Sequence, residues 1–156
     1  MKVSDQGKRK IREWEGSRAR AYRDAGGKLT IGVGHLLTKS ELASGKIWIQ
    51  GQAVPYAAGL SDEQILDLLG QDLAGAEQGI KDGVDVELSQ NQFDALVSFC
   101  FNVGRMAFKN STLLRLLNQE KYDEVPAQLR RWVRCNGKVI QGLVSRREQE
   151  IELWNA

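Results

Sequence analysis

Residues 15–35 read EGSRARAYRDAGGKLTIGVGH, and the fold turns on how the second half of that stretch is parsed. Leu29, Ile31 and Val33 alternate with Thr30, Gly32 and Gly34, the two-residue period of a half-buried strand. Gly26-Gly27 stands just before, with Tyr22 to Asp24 upstream, so the stretch is predicted to be a β-hairpin. Pairing symmetric about Gly27 sets Asp24 directly across from Thr30, with Cβ atoms roughly 5 Å apart, and Tyr22 across from Gly32. That register leaves room for a ligand beside a carboxylate and a hydroxyl, a two-point hold for a water molecule. Taken singly, each is an ordinary residue: an Asp flanking a turn and a Thr that favours strands.

Upstream, Ser4 and Asp5 are acceptable helix starters, Ile11 and Trp14 lie three apart, and Gly16 suits the end of a helix. Glu15 therefore closes the first helix. There the negative end of the helix dipole, with Trp14 as neighbour, favours a carboxyl that keeps its proton. Protonating the leaving oxygen of a glycoside needs such a group, although position alone does not separate Glu15 from any exposed helix-end acid.

Downstream, residues 37–59 are irregular, with Gly45, Gly51, Pro55 and Gly59 punctuating Ile47, Trp48 and Ile49; a strand or short helix fits there. Ser61-Asp62-Glu63-Gln64 has capping-box spacing, and Ile65, Leu69, Leu73, Ala76 and Ile80 continue one apolar face to Gly83. A single helix over 61–83 spans roughly 30 Å, long enough to join two lobes. Ser89 to Gln92 caps another helix, which Gly104 stops; further helices are predicted over 111–118, 123–134 and 143–154. The order implies an α+β, mostly α protein. We expect one domain over 1–156, made of a sheet-containing lobe (1–60), a connecting helix (61–83) and a helical lobe (84–156), with a cleft between the lobes.

At 156 residues and 27% charged, the composition is that of a globular chain, not a disordered one. Cys100 and Cys135 are too few for a disulfide framework and are read as buried reduced thiols. No run reaches the roughly 18 apolar residues of a membrane span, and Met1 to Lys10 carries no export signal. Net charge is +2, yet Arg130, Arg131, Arg134, Lys138, Arg146 and Arg147 follow one another without an acid. That stretch is either a solvated surface or an attractor for a polyanion; nothing resembles a nucleic-acid module.

Glu15-Gly16, Ala21-Tyr22, Asp24, Gly27 and Thr30-Ile31-Gly32-Val33-Gly34-His35 together resemble the catalytic signature of the phage lysozyme family, glycoside hydrolase family 24. The resemblance continues through Gln71-Asp72-Leu73, 92–96, 101–104, 108–112 and Gly142-Leu143 with Arg146-Arg147 and Glu150, covering nearly the whole chain. It implies a two-lobed lysozyme fold acting on the β-1,4 bond between N-acetylmuramic acid and N-acetylglucosamine in bacterial peptidoglycan. Glu15 is then the acid, with Asp24 and Thr30 around the nucleophilic water and no metal or cofactor. Leu36, Phe101 and Ser111 match substrate-binding positions. His35, the lone histidine, is implied to pair with Asp72 as a structural link rather than to catalyse. The 47–59 stretch is longer than in the shortest relatives.

The expected activity is that of an inverting endolysin that lyses the host cell. Its chain is a monomer made in the host bacterial cytoplasm that reaches the periplasmic wall with the help of a separate membrane-permeabilising protein. Two rivals are weighed: a lytic transglycosylase, which has little use for residues that hold water, and a non-catalytic peptidoglycan-binding module, against which the intact triplet speaks.

Overall fold

Helix α1 (Asp5–Glu15) ends where Gly16 adopts φ 78° and returns its N–H to the Arg12 carbonyl at 2.8 Å. A left-handed residue there is the usual helix stop. The computed structural model describes all 156 residues as an α+β, mostly α chain. Contacts divide it into two units, Lys8–Asp72 on one hand and Met1–Gly7 with Leu73–Ala156 on the other.

The unit Lys8–Asp72 carries strands β1 (Arg18–Arg23), β2 (Leu29–Gly32) and β3 (His35–Leu36) as one antiparallel sheet in that order. Its β1–β2 register differs from the expected one: Tyr22 faces Thr30 and Arg23 faces Leu29, while Gly32 pairs with Arg18 across an irregularity. The centre of symmetry is Gly26, not Gly27, because the three-residue loop is Ala25-Gly26-Gly27, closed by Asp24 and Lys28, one residue earlier than the expected pairing places it. The Gly27 N–H reaches the Asp24 carbonyl at 2.9 Å, and Gly27 itself has φ 80°. A tight turn followed by a left-handed glycine is the usual three-residue solution.

Residues 37–59, irregular by sequence, form helix α2 (Lys39–Ser44) and a hairpin of β4 (Lys46–Ile49) and β5 (Gln52–Pro55). Thr38 and Glu41 close a capping box on α2, and Gln50-Gly51, with φ 52° and 75°, makes the two-residue turn that matches strand twist. Ile31, Ile47 and Ile49 are buried with Ile65, Leu68 and Leu69 of α3 (Asp62–Asp72), each such side chain stabilising by about 1.5–3 kcal/mol.

The predicted helix over 61–83 is two helices, α3 and α4 (Ala74–Gly83), separated by Leu73 with ψ −12°. Gly70, Gly75 and Gly79 weaken helical preference around the break, and no side chain caps α4 at Leu73. In the second unit, α5 (Gln90–Val103) is buried at every position from Phe93 to Cys100, as a helix wrapped by others must be. Helices α4, α6 (Arg105–Lys109) and α9 (Gln141–Asn155) pack on it, with α8 (Val125–Leu129) beside α9 and α7 (Thr112–Asn118) beside α6 and α8. The N-terminal segment docks here as well. The Val3 N–H donates to Glu77 at 2.7 Å, and Ser4 donates to Asp94. Gly7 is required at that contact, since a Cβ would lie 2.6 Å from Asp94 Oδ2.

Three expectations fail in this unit. The predicted helix 123–134 stops at Leu129, and β6 (Arg134–Cys135) pairs with β7 (Lys138–Val139) around Asn136-Gly137, with φ 52° and 78°. Asn-Gly is a strong two-residue hairpin signal, and it outweighs the helical spacing on either side. Cys135 is exposed on that hairpin while Cys100 is buried, and burial pushes the Cys100 thiol up to about 11. The run of cations is not one face either: Arg146 and Arg147 are buried, and Arg130 pairs with Glu148 at 2.9 Å.

Candidate active site

Glu15, Asp24 and Thr30 all lie in the unit Lys8–Asp72. Glu15 is exposed at the last position of α1. Asp24 opens the β1–β2 loop and Thr30 lies on β2, buried. With Tyr22 opposite Thr30, the period of two puts Tyr22, Asp24 and Thr30 on one face, and Asp24 and Thr30 are diagonal rather than direct neighbours, roughly 7–8 Å apart by backbone. The expected open space beside Gly32 is not there. Tyr22 fills the position across from Thr30, with the Arg18 guanidinium 4.6 Å above its ring.

Lys28, which sequence reasoning passed over, fixes both members of the pair through its backbone. Its N–H donates to Asp24 Oδ1 at 2.8 Å, and its carbonyl accepts the Thr30 hydroxyl at 2.9 Å. The Asp24 carboxylate is thereby oriented at one oxygen, leaving the other for a further donor. Thr30 has committed its single proton, so its oxygen can only accept from anything else.

His35 on β3 is held from two sides: Nδ1 lies 2.8 Å from Asp72 Oδ2 at the end of α3, and Nε2 lies 2.9 Å from Glu41 Oε1 on α2. The hydrogen bond to Asp72 is the main cause that raises its pKa to about 9; burial works against it, and Glu41 adds to the rise. Glu41 itself is lifted by burial but pulled below its ordinary value by the Thr38 N–H and by His35. Sequence reasoning missed Glu41, although Thr38-Lys39-Ser40-Glu41 carries the capping-box spacing that would have placed it on a helix start beside His35.

Leu36 is 49% exposed next to His35. Phe101 and Ser111 belong to the other unit. Phe101 is half-buried near the end of α5. The Ser111 hydroxyl caps α7, accepting the Leu114 N–H at 3.1 Å and donating to the Phe108 carbonyl at 2.7 Å. The same unit holds a sealed polar cluster. Glu150 accepts the Ser98 hydroxyl at 2.6 Å and lies 3.4 Å from Arg146 Nε and 3.1 Å from Arg147 Nε. Arg147 also donates to Asn102 and lies 5.1 Å over the Phe99 ring.

The phage lysozyme family model matches residues 12–150. The endolysin of Salmonella phage P22 is 37% identical over 154 residues, which cover 99% of this chain and 98% of that protein. The endolysin of Bacillus phage PZA is 36% identical over 158 residues, and there the chain spans 56% of its relative's length. A crystal structure of a P22 lysozyme variant superimposes with a TM-score of 0.84 at 35% identity, covering 100% of this chain and 99% of that one. These matches define the class, muramidase-type glycoside hydrolases. Within it, the chain belongs to the phage lysozyme family.

Proposed function

We propose that the chain is an endolysin that hydrolyses the β-1,4 bond between N-acetylmuramic acid and N-acetylglucosamine of bacterial peptidoglycan with inversion. Glu15 protonates the leaving oxygen, and Asp24 and Thr30 hold the water that attacks the anomeric carbon from the opposite face. The observation that carries this reading is the double use of Lys28. With the Thr30 proton given to the Lys28 carbonyl and Asp24 steadied by the Lys28 N–H, both groups accept. A water between them donates both its protons and keeps its lone pairs for the sugar. Asp24 then acts as base through that water, as in inverting enzymes.

Leu36, Phe101 and Ser111 would contact the glycan, and the His35–Asp72 contact would keep the strand carrying Leu36 in place. In this reading the enzyme works as a monomer. It is made in the host cytoplasm and meets the periplasmic wall with the help of a separate membrane-permeabilising protein. No helix is long and apolar enough to cross a membrane.

Rapid NMR of the earliest products from purified peptidoglycan tests the chemistry. The α-anomer of the new reducing end is expected. A β-anomer, or a glycosyl ester on Asp24, would recast Asp24 as the nucleophile; 1,6-anhydro sugar would make the enzyme a lytic transglycosylase; no product at all would leave a binding module.

A further inference from the structure

The β4–β5 hairpin presents one face to the core and one to solvent. Ile47 and Ile49 point inward, and the alternate positions Lys46 and Trp48 point out, opposite Pro55 and Ala53 respectively. Trp48 is 64% exposed, and Trp14, Trp132 and Trp154 are all half-buried or buried. Because its cross-strand partner is alanine, nothing on the hairpin covers the indole. Lys46, two residues away on the same face, is exposed and has no carboxylate beside it.

The hairpin is nevertheless held firmly. Gln71 of α3 uses both ends of its amide on the turn: Nε2 donates to the Trp48 carbonyl at 2.9 Å, and Oε1 accepts the Gln50 N–H at 2.9 Å. The next residue, Asp72, holds His35, whose neighbour Leu36 is exposed. Two consecutive side chains at the end of α3 thus anchor the backbone under Trp48 and the strand that presents Leu36. A single exposed aromatic needs no explanation by itself. An uncovered indole on a firmly held backbone, with a cation on the same face and its anchor one residue from the contact that fixes Leu36, does.

We propose that Trp48 and Lys46 form an outlying binding platform for the peptidoglycan strand, continuing the surface that begins at Leu36. The inference rests on the hydrolase reading above. A pyranose offers one face of C–H groups that lies flat on an indole while its hydroxyls stay in water, so an open aromatic on a held backbone suits it. An apolar ligand would need an enclosing pocket. Tryptophan supplies that area with only two side-chain torsions to order. Muramic acid carries a lactyl side arm extended by an acidic peptide, and Lys46 supplies the complementary charge.

Trp48 packs against no ring and its backbone bonds survive truncation, so Trp48→Ala should fold. The first measurement follows the Trp48 indole N–H by NMR, assigned through Trp48→Phe, during titration with a hexamer of β-1,4-linked N-acetylglucosamine. The indole signal should move. On whole walls, Trp48→Ala should raise KM about tenfold, the worth of one good aromatic contact, with kcat within twofold of the wild type. Lys46→Glu should raise KM on walls a few-fold and leave hexamer binding as it was. An indole signal that stays put while signals of other residues shift, or an unchanged KM for Trp48→Ala, overturns the platform and leaves the hydrolase reading intact. If wild-type protein neither clears walls nor shows any shift with the hexamer, the hydrolase reading fails and the platform with it.

Discussion

Each unit holds a cluster of charged side chains, and the two clusters behave in opposite ways. In Lys8–Asp72 a histidine lies between two carboxylates, with side chains that remain 14–25% exposed. In the helical unit Arg146, Arg147 and Glu150 are 6%, 0% and 0% exposed. Water reaches the first cluster, so its charge state follows pH. The second is sealed, and burial pushes the Glu150 carboxyl up in spite of two arginines. Desolvation works against the sealed cluster, so it is not strongly favourable compared with a well-packed apolar one; its members are needed chiefly because removing one leaves a buried charge uncompensated. The unit with the proposed chemistry is thus held partly by a contact open to water that pH can loosen, and the helical unit by one closed to solvent.

The largest effect should separate the chemistry from both clusters. Glu15→Gln keeps the shape at the end of α1 and removes the proton, so lysis should fall by about 10² to 10⁴ or more with circular dichroism and melting near wild type. A folded variant that clears walls at more than half the wild-type rate would remove Glu15 from the mechanism and leave the comparison without its catalytic side.

Next in size is an attack on the sealed cluster. Glu150→Gln removes the buried carboxylate that faces Arg146 and Arg147 and leaves them their bonds to Ser98 and Asn102; removing one partner of a buried ion pair costs about 3–5 kcal/mol. Denaturant unfolding at neutral pH reads this directly, and the deficit should persist as pH is varied through the neutral range. A loss under about 1 kcal/mol would show that water enters the cluster, and the contrast between the two units would collapse.

What the sequence made legible was local. Period-two alternation found β2, and the capping pairs Ser61–Gln64 and Ser89–Gln92 found the starts of α3 and α5, because those signals act within a few residues. The hairpin register differs by one residue because two adjacent glycines leave open which of them ends the loop in the left-handed position, and the centre of pairing follows from that choice. The β6–β7 hairpin went unread because its strands are two residues each, too short for an alternation to flank Asn136-Gly137. Arg146 and Arg147 were read as surface charges because a buried ion pair is a tertiary fact: Glu150 and Ser98 come together from helices 52 residues apart in sequence. Of the candidate site, Glu15, Asp24 and Thr30 were reachable through a spaced motif, whereas Lys28 acts through backbone atoms that every residue has.

The smallest of the three effects belongs to the open cluster. His35 has a folded pKa of about 9 against 6.5. A raised pKa means that its extra stability is complete below pH 6.5 and is lost as pH climbs through about 9. Glu41 works the other way: its pKa is lowered, so its share is present above the ordinary carboxylate value and is lost as acid protonates it. The contact is therefore strongest from weakly acid conditions up to about pH 6.5. At about 1.4 kcal/mol per pKa step, and allowing for screening where water reaches the site, His35 should contribute about 2–3 kcal/mol. His35→Asn removes the titrating group, so the fall in melting temperature seen in the wild type between pH 6 and 10 should flatten. Glu150→Gln should instead lower the melting temperature throughout that range. An equally steep wild-type-like slope in His35→Asn would mean that the ion pairs with Asp72 and Glu41 add nothing to stability, and the open cluster would then be no more a pH-dependent fastening than the sealed one.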